Sequence, residues 1–151
     1  MIPDLEDSVL PDGVHDCTPE EVAARFGRFQ RTDRRVMLTA RLMAYLDDAR
    51  RSGIVVAVLI DGSYVTAVEE PDDIDLIVVR RADVDTTYLR PFEYNATSKR
   101  MVRTTYKFDA FPAADGSVEL AERLAYFMQV NPVKHSGLTS RTTKGLLRVL
   151  L

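Results

Sequence analysis

Seven consecutive apolar residues, Ile54 to Ile60, form the longest such run of the chain. They are mostly β-branched and lie between Gly53 and Asp61-Gly62, which predicts a strand covered on both faces. Ile74 to Val79 predicts a second strand, in which Asp73 and Asp75 point one way and Ile74 and Leu76 the other. Thr18-Pro19-Glu20-Glu21 carries a capping box with proline at the first helical position, and Gly27 closes a short helix at Phe26. Leu38, Leu42, Tyr45 and Leu46 form an apolar stripe, predicting a longer helix from about Thr32 to Arg51. A further helix is expected within Phe92 to Arg103, after Pro91. Thr104 to Phe111 reads as a third strand, leaving through Pro112 and Ala113-Ala114-Asp115-Gly116. Ser117 caps a helix reaching about Val130, with Leu120, Leu124 and Phe127 on its apolar face. Asn131 to Thr143 is a polar loop, and Gly145 to Leu151 reads as a last strand. Residues 1–17 lack periodicity and read as an irregular arm before a single domain, 18–151. The fold class is α+β, a small mixed β-sheet with helices packed mainly on one face.

Composition narrows this picture. A chain of 151 residues, 46% apolar and 28% charged, has the balance of one globular domain, not of a disordered, collagenous or coiled-coil chain. No apolar run approaches the roughly 20 residues that span a bilayer, and the first residues lack a signal peptide's basic and apolar regions. A cytoplasmic protein without membrane contact is the simplest reading. Cys17 is the single cysteine, which excludes an intrachain disulfide and a cysteine-based zinc site; it reads as an idle thiol. The net charge of −3 divides into −8 over residues 1–75 and +5 over 76–151. A globally basic nucleic-acid binder is disfavoured. An anion site fed by the second half stays open, beside the plainer reading of an unevenly charged solvated surface.

The chemistry concentrates in Asp61-Gly62-Ser63 and Asp73-Ile74-Asp75. Gly62 lets the chain turn tightly at the end of a buried strand. Ser63 follows with a hydroxyl and a backbone N–H that a phosphate oxygen can accept from. Asp73 and Asp75 emerge on one face about 6.5–7 Å apart along the strand, a spacing at which two carboxylates repel unless a cation lies between them. Hard divalent ions take carboxylate and phosphate oxygens together. Asp109, flanked by aromatic residues, is the third acid; pairing with Lys107 or Arg103 explains it equally. The plain alternative makes Asp73 a turn acid and Asp75 a solvent-facing strand residue. Asp61 reads as a cap of the turn, Tyr64 as packing, and Lys134 and His135 as loop residues.

Gly62-Ser63 followed by Asp73-x-Asp75 resembles the signature of the DNA polymerase beta nucleotidyltransferase superfamily, and the small size is similar to its minimal prokaryotic members. Over nearly the whole chain the sequence also resembles a bacterial family of uncharacterised, nucleotidyltransferase-like proteins. Leu10-Pro11-Asp12-Gly13-Val14-His15, Asp61 to Thr66, Pro71 to Asp75, Phe127-Met128-Gln129 and Lys144 to Leu147 carry that likeness. The resemblance implies a palm-type nucleotidyltransferase fold. It implies that Asp73, Asp75 and Asp109 bind Mg²⁺ (or Mn²⁺), with Asp109 as ligand or base. Gly62 and Ser63 would hold the phosphates of a nucleoside triphosphate such as ATP. Minimal members carry arginine directly after Gly-Ser, where this chain has Tyr64; Arg80 and Arg81, or Lys99, Arg100 and Arg103, would then supply the phosphate-binding cation. The implied activity is transfer of a nucleotidyl group such as AMP to a hydroxyl of a protein, tRNA or small molecule. The alternative is a catalytically silent, antitoxin-like or phage-defence module acting through a partner protein.

Overall fold

The computed structural model describes residues 1–28 and 30–151. Five strands form one mixed sheet: β1 (Val14–Asp16), β2 (Val55–Asp61), β3 (Asp75–Arg80), β4 (Asp109–Ala114) and β5 (Leu146–Leu150), in the order β1-β5-β2-β3-β4. β2 runs antiparallel to both neighbours, whereas β1 pairs with β5, and β4 with β3, in parallel. Among the described residues five α-helices accompany the sheet: α1 (Pro19–Phe26), α2 (Arg34–Ser52), α3 (Pro91–Thr97), α4 (Lys99–Tyr106) and α5 (Val118–Phe127).

Alternation along the central strands divides the core in two. Val58, Ile60, Leu76, Val78, Leu147 and Val149 pack with residues of α1, α2 and α4, including Phe26, Leu42, Tyr45 and Val102. Ala57, Leu59, Ile77, Val79 and Leu146 pack on the other face with Phe127, Leu120 and Leu124 of α5. The double coverage explains the unbroken apolar run of β2. α5 is therefore the exception to the expected one-sided helical layer.

Local signals account for most element ends. The Thr18–Glu21 capping box is present, α2 stops at Gly53 in the left-handed region, and Ser117 accepts from Leu120 N–H at the start of α5. Several boundaries differ from the sequence reading; one is that Asp73, expected at the start of the second strand, precedes β3, which begins at Asp75. The arm 1–17 is not wholly irregular, since Val14–Asp16 joins the sheet beside Leu146–Arg148. The helix expected within 92–103 is two helices broken at Ser98, which caps the end of one and the start of the next. The strand expected from Thr104 begins only at Asp109, because α4 continues to Tyr106 and Lys107 ends it at φ 66°. Pro112, expected to end this strand, lies within it; β4 is an edge strand, where a missing N–H is tolerated.

Candidate active site

The carboxylates converge because of register. Asp75 opens β3 opposite Asp61, the last residue of β2, and opposite Asp109, the first of β4. Residues paired across strands point to the same face, so three acids lie side by side at one end of the sheet, on the face that α5 covers. They line a cavity of about 630 Å³ together with Asp73, Lys134 and Lys144.

Asp73 is held by the turn that precedes it. Its Oδ1 accepts from Ser63 N–H at 3.0 Å and from Ser63 Oγ at 2.9 Å, while Ser63 Oγ accepts from the backbone N–H of Asp72 and Asp73. The N–H and hydroxyl expected to face a phosphate are thus committed to orienting Asp73. Gly62 makes this possible: at φ 92°, a Cβ there would stand 2.9 Å from the Asp73 carbonyl oxygen and 3.1 Å from its Oδ1. Lys134 reaches in from the 131–143 loop and donates to Asp73 Oδ2 at 3.1 Å.

Asp61, Asp73 and Asp75 do not titrate alike. Burial pushes the Asp73 carboxyl up, but the Ser63 donors and Lys134 more than offset this and leave it below the usual carboxylate range. Burial, the negative charge of Asp73 and, more weakly, that of Asp61 and Asp109 push Asp75 up to about 6. Asp61 is buried and forms an ion pair with buried Lys144; burial raises its carboxyl, while Lys144 and the backbone of Gly62 oppose the rise. Burial and the Lys144 charge keep His135 below its ordinary value, hence neutral near pH 7. Outside this group, burial pushes the Cys17 thiol up to about 11, in keeping with an idle thiol.

The shift of Asp75 has a testable sign. An unfolded Asp75 titrates near 3.8, whereas the native group holds its proton to about 6. The native state therefore binds the extra proton, and stability falls as pH rises between those values. Asp75→Asn should raise Tm at pH 7 by on the order of 5 °C and give near parity with wild type at pH 4. Thermal melts across that range check it, and equal Tm differences at both pH values would refute it.

The other expected site residues separate. Arg103 stands 3.8 Å from Asp109, so both the pairing and the site reading of Asp109 find their residue at one place. Lys99 does not line the cavity; its Nζ stacks 4.5 Å from the centre of the Phe111 ring instead. Arg80 is at the opposite end of β3, roughly 16 Å along the strand from Asp75, and is not a candidate phosphate ligand. Tyr64 is fully buried and shares a hydrogen bond with Thr39, as its packing role predicts. The cations that line the cavity with the acids are Lys134 and Lys144. Lys134 had no sequence signal beyond the net positive charge of the second half, and Lys144 had in addition only its place in the matching segment Lys144 to Leu147.

The chain matches the DUF6932 family, described as a family of unknown function, over residues 3–150. It belongs to that family. Comparison with curated proteins and with solved structures yields no match. What bears on the function of this DUF6932 chain is the site itself. Its donor set is acid-rich, with the His135 ring at the same cavity, and among the described residues Asp75 draws no stabilising hydrogen bond, which fits a hard divalent cation. As they stand, no three His, Cys, Asp or Glu side chains among the described residues are arranged to hold a metal ion. Lys134 supplies positive charge at Asp73 instead. No helix among the described residues is long and apolar enough to cross a membrane.

Proposed function

We propose that this chain is a divalent-cation-dependent nucleotidyltransferase, moving a nucleotidyl group from a nucleoside triphosphate such as ATP to an acceptor hydroxyl. One observation carries the reading: Asp75 and Asp109 are aligned across neighbouring strands, beside an Asp73 that the Gly62-Ser63 turn orients. That is the placement the resemblance to polymerase beta-like nucleotidyltransferases implies. Asp73, Asp75 and Asp109 would hold Mg²⁺ or Mn²⁺, which neutralises charge on phosphate oxygens when bound. Lys134 would pass from Asp73 to a phosphate oxygen, taking the place of the arginine that Tyr64 replaces. Asp109, half-exposed at the cavity wall, would accept the acceptor hydroxyl's proton if it does not serve as a ligand. Holding both reactants in line would supply most of the rate.

A second reading, a silent module acting through a partner protein, draws on two observations. The Ser63 donors are already committed to Asp73, and the position after them is buried in the core. A thermal-shift titration separates the two. With Mg²⁺ and ATP at about 100 times Kd, wild type should gain about 2.7 kcal/mol, several degrees in Tm. The Asp73→Asn/Asp75→Asn variant should gain nothing. A shift that survives in the variant, or no shift with any of the four nucleoside triphosphates, would overturn the transferase reading.

A further inference from the structure

The acid cavity has one apolar wall, and that wall belongs to more than the acids. Phe111 of β4 with Tyr126 and Phe127 of α5 lines the acid cavity and also a second hollow of about 510 Å³ beside it. The rings are packed against one another. Phe111 and Phe127 lie 5.2 Å apart between centroids, and Tyr126 meets Phe127 edge-on at 5.5 Å and 89°.

Only one of the three has room for a ligand. Phe111 already carries Lys99 at 4.5 Å and Arg123 at 5.5 Å from its centre. Phe127 is buried in the second core. Tyr126 is 69% exposed, and among the described residues no cation stacks on it. A large, exposed aromatic ring, braced by a buried one at the junction of an acid-and-lysine cavity with an open hollow, is a platform for a planar apolar ring.

We infer that Tyr126 is the stacking platform for the nucleobase of the bound triphosphate. The inference rests on the nucleotidyl-transfer reading and adds the subsite that reading leaves unassigned. The phosphates lie among the acids and Lys134; the base lies on Tyr126, toward the hollow that Phe111 and Phe127 share. Stacking on an aromatic side chain tolerates any base, since every base has a π-face. The subsite therefore selects a nucleotide over a bare polyphosphate rather than one base over another.

The test compares Mg²⁺-ATP with Mg²⁺-tripolyphosphate by isothermal titration on wild type, Tyr126→Ala and Tyr126→Phe. Wild type should bind ATP about tenfold or more tighter than tripolyphosphate. Tyr126→Ala should remove that preference while leaving tripolyphosphate affinity unchanged, and Tyr126→Phe should keep it. Tyr126 is exposed, so none of these changes threatens folding. Equal wild-type affinity for the two ligands, or an ATP preference that survives Tyr126→Ala, would overturn the stacking subsite alone. Failure of wild type to bind either ligand would overturn the transferase reading, and the subsite with it. Tyr126→Ala lowering both affinities equally would make Tyr126 a support of the phosphate site and also refute the inference.

Discussion

Lys144→Met should destabilise the fold by about 3–5 kcal/mol, the usual loss when one partner of a buried ion pair is removed. Lys144 and Asp61 are both almost fully buried, 5% and 6% exposed, and the pair lies at the end of β2 where the cavity begins. Without the ammonium, the Asp61 carboxyl has burial against it and loses its chief opposing charge, so it will take up a proton. The loss should be larger at pH 8 than at pH 5, because the protonated carboxyl is cheaper to bury. Adding Asp61→Asn should recover more than half of the loss, since the damage lies in the orphaned charge and not in the missing attraction. Urea unfolding at both pH values measures this. A single variant within about 1 kcal/mol of wild type would place the pair in effective contact with solvent and refute the account.

Arg35→Met is the second large effect. The Arg35 side chain is buried between the rings of Phe26 and Tyr64. Its guanidinium donates to four backbone carbonyls: Phe26 at 3.2 Å, Tyr64 at 2.7 Å, Thr66 at 2.9 Å, and Val68. Three of these acceptors lie in the segment 64–68 that follows Ser63, so one side chain pins the exit of the turn that orients Asp73. Methionine fills similar volume but orphans every acceptor, at about 1–3 kcal/mol for each that stays buried. The expected loss is at least about 3 kcal/mol. Arg35→Lys should recover little, because an ammonium lacks the planar fork that reaches several carbonyls at once. A methionine variant as stable as wild type would show that water satisfies these carbonyls.

The parts of the fold legible in the sequence are those decided by local chemistry. The apolar run of β2, the capping box at Thr18 and Glu21, the left-handed stop at Gly53 and the cap at Ser117 each act within a few residues. Asp75 was legible as a strand position and Gly62 because a tight turn demands it; Asp73, expected on the same strand, lies in the turn before β3 and reaches the site through Ser63. Less accessible features depend on residues far apart in the chain. The parallel seat of Val14–Asp16 exists only once β5 is present. The left-handed backbone of Lys107 moves the start of β4 to Asp109, and no glycine or asparagine marks it. Lys134, His135 and Lys144 looked like an ordinary polar loop and its end. Nothing local reveals that this loop folds back over the sheet to meet Asp73 and Asp61. The role of Ser63 differed for a related reason: its donors were visible, but the acceptor they would find was not.

The strand order also shapes how the molecule assembles. β5 sits between β1 and β2, and both neighbours are remote from it in sequence: Leu146 pairs with Val14, and Leu150 with Ala57. By contrast, β2, β3 and β4 follow one another across shorter connections. Loop closure over the longer spans costs more entropy, so β2-β3-β4 is the natural early unit and the insertion of β5 a late step. Until that step, β2 presents an open, apolar edge, the usual starting point for strand exchange between copies and for aggregation. Conditions that slow the arrival of β5 therefore endanger the yield of folded protein more than its final stability.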